Sequence, residues 1–167
     1  MLEYPEIHHI AEQMQQTIIG KTIQMVDFPG AERKFVFSQQ SEAEFNQRLN
    51  GGILQRVEAV GNHLFLFTDH GMVFNVGDTG GKILYHPSPE KAPKKFDLRI
   101  DFTDGSVLTI SIQMWGFVGA VSEEEARAQQ HRIRAEARDP LSSEVTPDAF
   151  LHWLTEWDDA PRTSAKK

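Results

Sequence analysis

Apolar residues recur at helical spacing in the first part of the chain, at Ile7, Ile10, Met14 and Ile18. This spacing places them on one face of an α-helix. Pro5 suits a first helical position because its missing N–H has no intrahelical partner there, and Glu6 lies where the helix dipole favours a negative charge. Gly20 is typical of a helix end. The pattern therefore predicts a short extended arm, a helix that ends at Gly20, and a strand that starts at Thr22.

The middle of the chain follows the shorter period of β-structure. Branched and aromatic residues fall into short runs separated by turn signals, which predicts strands over residues 22–28, 34–37, 54–60, 64–68, 72–76, 82–86, 96–102, 107–112 and 117–121. Asp69-His70-Gly71 and Thr103-Asp104-Gly105 are strong hairpin markers. Repeated short strands of this kind are typical of a sandwich or a barrel.

Helical patterns interrupt and close the β region. Ser41 and Glu44 form a capping-box pair ahead of a short helix, which Asn50-Gly51-Gly52 ends. Ser122 opens a charged helix to about residue 133, and Thr146-Pro147-Asp148 opens another. The last helix carries an apolar face made of Phe150, Leu151, Leu154 and Trp157.

Composition restricts the classes of function. The chain has 167 residues, of which 40% are hydrophobic, so it is long enough for one domain with a core. It lacks cysteine, which excludes disulfides and thiolate zinc sites and agrees with a reducing cytoplasm. No apolar run approaches the ~20 residues of a membrane span, and no secretory signal pattern opens the chain. A formal charge of −7 argues against strong duplex binding by this chain alone.

Histidine does not form a convincing metal site. Adjacent residues on a helix point about 100° apart, so His8 and His9 do not share a face, and the chain contains no His-x-His or His-x3-His spacing. We therefore expect no metal ligands in this sequence.

The opening of the chain resembles the N-terminal signature of the formamidopyrimidine-DNA glycosylase and endonuclease VIII family, which begins Met-Pro-Glu-Leu-Pro-Glu. The match comprises Glu3, Pro5, Glu6 and the turn Gly20-Lys21-Thr22-Ile23, without a gap. The resemblance implies an α+β, mainly β fold: a two-sheet antiparallel β-sandwich flanked by an N-terminal helix and two C-terminal helices. It implies a DNA-repair function in the bacterial cytoplasm, at the nucleoid.

The resemblance also sets a domain prediction. It is strongest over residues 3–23 and extends to Asp139-Pro140-Leu141, which is similar to a turn before the family's interdomain segment. Residues 1–160 are therefore predicted to form the glycosylase-like domain. Residues 161–167 are predicted to be a tail leading to a helix-two-turn-helix and zinc-finger half, to which nothing in this sequence corresponds. No cofactor is expected in this chain, since the family's zinc belongs to that finger. The chain is either a fragment of a longer protein or a stand-alone relic of the catalytic half.

The family's catalytic positions are kept only in part. Its nucleophile is an N-terminal proline exposed by removal of methionine, and this chain has Leu2 in that place. Because leucine is bulky, we expect Met1 to be retained, so that its amine is one residue out of register. Glu3 matches the glutamate that transfers protons, and Glu6 of the same signature completes the candidate catalytic set. The alternative interpretation of Glu3 is a solvated surface acid.

Two candidate DNA-binding positions follow the first hairpins. Asn62 lies where the family has a phosphate-gripping lysine, and an amide can bind a phosphate without supplying charge. The alternative for Gly61-Asn62 is a hairpin or bulge element. Asp78 lies where the family's methionine wedges into the gap left by a flipped nucleotide, and a carboxylate is a poor wedge. The glycines around Asp78 favour a turn over a phosphate cradle.

A second pair lies further along the chain. Gln113 and Trp115 occupy the segment in which the family has an arginine and an aromatic wedge, and Trp115 could stack on a base. Met114 and Trp115 are equally compatible with the sandwich core. Lys94 and Lys95, with Arg99, are the best available phosphate contacts, and their alternative interpretation is a solvated loop.

Three hypotheses follow. In the first, the chain is the N-terminal domain of a base-excision-repair DNA glycosylase and abasic-site lyase that acts on damaged DNA and is impaired by Leu2. Alternatively it is a catalytically inactive damaged-DNA reader, or a protein-interaction β-sandwich. Damaged double-stranded DNA is the expected partner, bound weakly by this chain alone, and no membrane partner is expected. Nothing in the sequence specifies an oligomeric state.

Overall fold

A computed structural model describes residues 3–136, 143 and 145–159; for residue 136 and residues 156–159 it describes the backbone alone. Met1, Leu2, the Asp139-Pro140-Leu141 turn and the predicted tail lie outside the described residues, as does the side chain of Trp157.

The described residues form four helices and nine strands. The helices are Tyr4–Thr17 (α1), Glu42–Leu49 (α2), Glu123–Glu136 (α3) and Pro147–Asp159 (α4). The strands are Ile23–Asp27 (β1), Val36–Phe37 (β2), Leu54–Val60 (β3), His63–Thr68 (β4), Met72–Gly77 (β5), Gly80–His86 (β6), Leu98–Phe102 (β7), Val107–Gln113 (β8) and Gly116–Ser122 (β9).

The strands form two sheets packed into a sandwich. The four-stranded sheet has the order β1-β7-β8-β6, and the five-stranded sheet has the order β2-β9-β5-β4-β3. The pairs are antiparallel except β2–β9, which is parallel. The predicted α+β sandwich is confirmed, with this one parallel pair as the departure, and the barrel alternative is wrong.

Local signals in the sequence account for most boundaries. The Ser41 hydroxyl accepts from the Glu44 backbone N–H, while the Glu44 carboxylate accepts from Ser41 N–H at 2.7 Å, so the predicted capping box starts α2. Gly20 has φ +83° after the end of α1, a left-handed conformation that glycine adopts without steric cost. The predicted Gly61-Asn62 hairpin is also confirmed, since it joins β3 to β4.

Several predicted boundaries differ from the structure. Helix α1 ends at Thr17 rather than at Gly20, and the strand predicted over residues 82–86 begins at Gly80. The strand predicted over residues 34–37 is reduced to Val36–Phe37, and the one predicted over residues 96–102 begins at Leu98. Helix α3 continues to Glu136, past the predicted end near residue 133. Each difference concerns an element end, where local propensity competes with pairing to a distant strand.

The core fills the space between the sheets and extends under α1. Strand β4 explains why its apolar run is continuous: Leu64 and Leu66 face the other sheet, whereas Phe65 and Phe67 face outward beneath α3. All four side chains are fully buried. Because α3 covers the outer face of β4 and β5, this strand needs no polar alternation.

Candidate nucleic-acid interface

Three chain connections meet at one end of the sandwich, which we call the loop end: residues 61–63, 77–80 and 113–116. His63 pairs with Gly77 across β4 and β5, and Gly80 pairs with Gln113 across β6 and β8. The Gly80 backbone N–H also donates to the Trp115 carbonyl at 3.4 Å. The fold thus brings Asn62, Asp78, Gln113 and Trp115 together, although as many as 53 positions separate them in sequence.

Asn62 and Asp78 are in direct contact. The Asn62 amide donates from Nδ2 to Asp78 Oδ1 at 2.5 Å. Asp78 is exposed and has φ +49°, a left-handed conformation that aspartate tolerates better than most residues. The two side chains predicted to take the phosphate-gripping and wedge positions therefore bind each other in this structure.

Gln113 at the end of β8 is exposed, as are Met114 and Trp115, which connect β8 to β9. Met114 is 76% exposed and Trp115 is 47% exposed, so the core alternative for these two residues is wrong. The physical reason is backbone conformation: Met114 has φ +67°, which ends the alternation of β8 and turns the following side chain outward. Ile112, just before this loop, remains buried.

The glycines on either side of Asp78, at the end of β5 and the start of β6, are explained by close packing. A Cβ on Gly77 would lie 1.9 Å from the His63 ring, and a Cβ on Gly81 would lie 1.8 Å from the Ser111 carbonyl oxygen. A side chain at position 77 or 81 would therefore clash with the neighbouring strand, so both positions require glycine. This accounts for the glycines without a bound phosphate and supports the turn interpretation.

His63 follows Asn62 in the chain, lies within electrostatic reach of Asp78 and is largely buried. Burial, the largest influence, lowers the pKa of His63, while the Asp78 carboxylate acts in the opposite direction. Its Nδ1 is buried without a hydrogen-bond partner among the described residues. A neutral imidazole is therefore favoured at the base of the loop end.

The N-terminal candidates form a helix cap. The Glu3 backbone N–H donates to Glu6 Oε2 at 2.7 Å, so the Glu6 carboxylate satisfies a free donor at the start of α1. Glu3 itself is exposed. Between described residues, no hydrogen bond or ion pair joins Glu3 to the four loop-end candidates. The catalytic roles of Glu3, Glu6, Met1 and Leu2 stay predictions.

Cations border a cleft of about 510 Å³ beside the loop end, lined by Arg33, Lys94 and Lys95. Arg33 pairs with the buried Asp97 and donates to the Ile112 carbonyl at 3.2 Å, yet half of its side chain stays exposed. Lys94 and Lys95 are exposed. The cleft therefore presents positive charge next to Gln113.

Arg99 differs from these cations. Its guanidinium contacts both carboxylate oxygens of Asp101, at 2.5 to 3.1 Å. The hydrogen bonds to Asp101 raise the pKa of Arg99, and the Asp101 carboxylate neutralises the charge of the guanidinium. An internal carboxylate therefore already binds Arg99, and its service as a phosphate contact stays a prediction.

Sequence reasoning did not single out the side chains at the start of β2. Phe35 and Phe37 are 52% and 55% exposed, and Lys34 Nζ lies 5.7 Å from the centre of the Phe35 ring. The sequence signal for an exposed edge was the segment Arg33-Lys34-Phe35-Val36-Phe37. In it, two charged and two aromatic residues accompany a single aliphatic residue, Val36.

The described part of the chain holds no group of three or more histidine, aspartate or glutamate side chains placed to bind a metal ion. None of the helices in residues 3–136 and 145–159 combines the length and apolar character needed to cross a bilayer.

The sequence is similar to known DNA-repair proteins. The family model of the formamidopyrimidine-DNA glycosylase N-terminal domain matches residues 1–114. Formamidopyrimidine-DNA glycosylase of Bacillus anthracis is 25% identical over 155 residues, which is 91% of this chain and 54% of the relative. The enzyme of Enterococcus faecalis is 27% identical over 154 residues, or 90% and 51%. The chain spans about half the length of these curated relatives.

Solved structures show the same fold. Lactococcus lactis Fpg (MutM), in complex with DNA containing an oxidised pyrimidine, superposes with a TM-score of 0.65 at 16% identity, covering 78% of this chain and 48% of that one. MutM in complex with DNA containing carbocyclic 8-oxo-G gives a TM-score of 0.66 at the same identity and coverage. The family match over more than half of the sequence decides the assignment: the chain belongs to the formamidopyrimidine-DNA glycosylase N-terminal domain family.

Proposed function

We propose that this chain is the damage-recognising N-terminal domain of a base-excision-repair DNA glycosylase and abasic-site lyase whose lyase step is impaired by Leu2. The observation that supports it most is the convergence of Asn62, Asp78, Gln113 and Trp115 at the loop end, in a chain of this family. In this proposal residues 1–160 are one domain, and residues 161–167 lead to a helix-two-turn-helix and zinc-finger half.

The proposed chemistry uses the N-terminal amine. An α-amino group ordinarily has a pKa near ~7.7–8.0, so with Met1 retained a neutral fraction of its primary amine can attack the sugar aldehyde and form a Schiff base with loss of the carbonyl oxygen as water. Glu3 then carries protons to and from the reacting atoms. Because consecutive Cα atoms are about 3.8 Å apart and a misplacement of ~1 Å can cost on the order of a hundredfold in rate, the shifted amine reacts slowly.

The proposed partner is damaged double-stranded DNA, bound weakly by this chain alone at the bacterial nucleoid. Asn62 and Gln113 bring hydrogen bonds without charge, and the net charge of −7 opposes polyanion binding. Lys94 and Lys95, exposed beside the loop end, supply phosphate contacts, while Trp115 supplies a stacking surface.

Borohydride trapping tests the proposal. Wild-type protein and a duplex with one abasic site should give a low yield of covalent adduct, and Glu3→Gln should abolish it. Glu12→Gln is the matched control, because Glu12 is an exposed acid on the same helix. Leu2→Pro, processed to an N-terminal proline, should raise the adduct yield about a hundredfold or more, since the amine then reaches the family's position. An adduct unaffected by Glu3→Gln contradicts the proposal.

A second candidate is an inactive damaged-DNA reader, favoured by the Asn62–Asp78 hydrogen bond, which joins two replaced family positions. In that case an abasic duplex is bound, with affinity falling steeply with salt, and no adduct forms even with Leu2→Pro. Absence of DNA binding under low salt would instead favour the protein-interaction sandwich, which the acidic charge balance supports.

A further inference from the structure

An edge strand next to the loop end exposes two aromatic rings. Phe35 and Phe37 are about half exposed, while Val36 between them is buried. Val36 and Phe37 pair with Gly116 and Phe117 of β9, and Gly116 N–H donates to the Phe35 carbonyl at 3.1 Å, so the pairing includes Phe35. Because alternate side chains of a strand share a face, both rings point to the same side of the sheet edge.

The same surface carries positive charge. Lys34 Nζ lies over the Phe35 ring, and Arg33, two residues before Phe35, lines a cleft together with Lys94 and Lys95. The Asp97 carboxylate is 5% exposed and is used by Arg33 and by Ile112 N–H at 2.6 Å, so it presents little charge to a ligand. Even with Glu32 and Asp97 counted, the surface keeps a positive excess within a chain of charge −7.

This surface is continuous with the candidate interface. Trp115 precedes Gly116, the residue that binds Phe35 through its backbone, and Trp115 is itself about half exposed. Aromatic rings beside cations are the combination by which proteins hold unpaired nucleic acid, since each base has a face to stack and each nucleotide a phosphate to neutralise.

We propose that Phe35 and Phe37, with Arg33, Lys34, Lys94 and Lys95, form a platform for a short stretch of unpaired DNA next to the loop end. The choice of DNA rests on the proposed function. The platform adds to it a preference for a strand whose bases are already separated, such as the strand beside a lesion that has opened the duplex.

The spacing of the rings supports unpaired DNA over intact duplex. Side chains at alternate strand positions are about 6.6 Å apart, whereas bases within one strand of a duplex are stacked at about 3.4 Å. Only bases that have moved apart can place their faces on both rings. Lysine and arginine side chains, which are longer, can follow the phosphates over this wider spacing.

Fluorescence anisotropy with a labelled twelve-nucleotide oligothymidine and a duplex of equal length tests the platform. We expect wild type to bind the single strand more tightly than the duplex. The double variant Phe35→Ala/Phe37→Ala should weaken single-strand binding at least about tenfold, as expected for loss of two stacking rings. The matched control is Met25→Ala/Leu84→Ala, which removes two exposed apolar side chains from the other sheet.

A second variant separates the loss of the rings from a loss of folded structure. Phe35→Leu/Phe37→Leu keeps apolar side chains and removes the rings, and it should also lose single-strand binding while its circular dichroism and melting temperature match wild type. Lys94→Ala should reduce the slope of log affinity against log salt by about 0.7, whereas Lys82→Ala, on β6, should leave it unchanged.

The outcomes separate this inference from the proposed function. Loss of oligothymidine binding with an unchanged abasic-duplex adduct supports the platform. Equal binding by the folded phenylalanine variants and the control, or a wild type that prefers the duplex, overturns it, even where the adduct forms. A wild type that binds oligothymidine through Phe35 and Phe37 but never yields an adduct supports the platform and contradicts the glycosylase-lyase proposal alone.

Discussion

The outer face of the five-stranded sheet under α3 and the loop end of the sandwich treat polar groups in opposite ways. Beneath α3, which we call the α3 clasp, Arg56 and Arg127 stack on the Phe67 ring with guanidinium carbons 3.8 and 4.6 Å from its centre. The Glu58 carboxylate accepts from Arg127 at 2.8 Å and from Gln130 at 2.9 Å. In this clasp, charges and rings bind each other.

At the loop end, rings and cations face solvent instead. Trp115 is about half exposed, as are Phe35 and Phe37 on the adjacent edge strand, and two non-glycine residues of the loop end, Asp78 and Met114, have left-handed backbones. Buried polar atoms without partners occur here also, at His63 Nδ1 and Thr79 Oγ1. The contrast teaches that the same residue types stabilise the fold where they pair with each other, and remain available to a ligand where they do not.

The largest expected effect comes from the ring at the centre of the α3 clasp. Phe67→Ala should lower the free energy of unfolding by about 3–5 kcal/mol, because it leaves a cavity in a fully buried site and removes the surface on which both arginines stack. Urea denaturation measures the change. Trp115→Ala is the control, which as a half-exposed residue should shift stability by only about 0.5 kcal/mol. Similar losses for both variants would remove the distinction between the regions.

A smaller effect is expected from the acid of the α3 clasp. Glu58→Gln should cost about 1–3 kcal/mol at pH 7, since the carboxylate accepts charge-assisted hydrogen bonds. Burial raises the pKa of Glu58, but hydrogen bonds from Arg127, Gln130 and Arg56 outweigh it and the pKa is lowered. Because the folded pKa is lowered, the ionised carboxylate stabilises the fold at pH values above the unfolded pKa of 4.5. This stabilisation is lost as the pH falls below 4.5 and through the folded pKa.

The measurement for Glu58 is therefore a pair of denaturation series at pH 7 and pH 3.5. The difference between wild type and Glu58→Gln should narrow at the lower pH. Glu124→Gln, at an exposed position of α3, should behave as wild type at both pH values. A constant difference would show that the charge of Glu58 does not matter.

At the loop end, relief of backbone strain should have the opposite sign. A left-handed non-glycine residue costs roughly 1–2 kcal/mol, while glycine costs up to about 1 kcal/mol through the unfolded chain, so Met114→Gly should stabilise by less than about 1 kcal/mol. Gln113→Gly, in the extended strand β8, should instead destabilise by about 0.5–1 kcal/mol. Chemical denaturation measures the free energy of unfolding of both variants. A destabilised Met114→Gly variant would exclude backbone strain at this loop.

The smallest expected effect concerns His63. Because burial lowers its pKa, the unfolded state binds more protons between the folded and unfolded values, so wild-type stability should fall as pH drops through about 6.5. His63→Gln should show less of this fall between pH 7.5 and 5.5. Melting temperature across that range is the measurement, with His9→Gln, an exposed histidine of α1, as the control. An unchanged pH profile would show that His63 keeps its ordinary protonation.

Local sequence signals predicted much of the fold for a physical reason. The Ser41–Glu44 capping box, the left-handed turn at Gly20 after α1 and the hairpin turns are decided by residues within a few positions of each other. The family signature then selected the sandwich over the barrel, which periodicity alone left open.

Long-range packing decided what the sequence left undetermined. The alternation of β8 did not show which way Trp115 points, because the direction depends on the left-handed Met114. Arg33 and Asp97 are 64 positions apart, and Arg99 has its carboxylate only two positions away, so nothing in the sequence showed which cation would stay exposed. The platform of Phe35 and Phe37 required the β2–β9 pairing, which no short-range signal announces.

The hydrogen bond between Asn62 and Asp78 restricts the mutational routes open to this chain. A lysine introduced at position 62 would meet the Asp78 carboxylate, and the resulting ion pair would neutralise the new charge. The carboxylate must change first, and that step alone deprives Asn62 of this acceptor. The order of the two substitutions therefore matters, and positions 62 and 78 are expected to evolve epistatically.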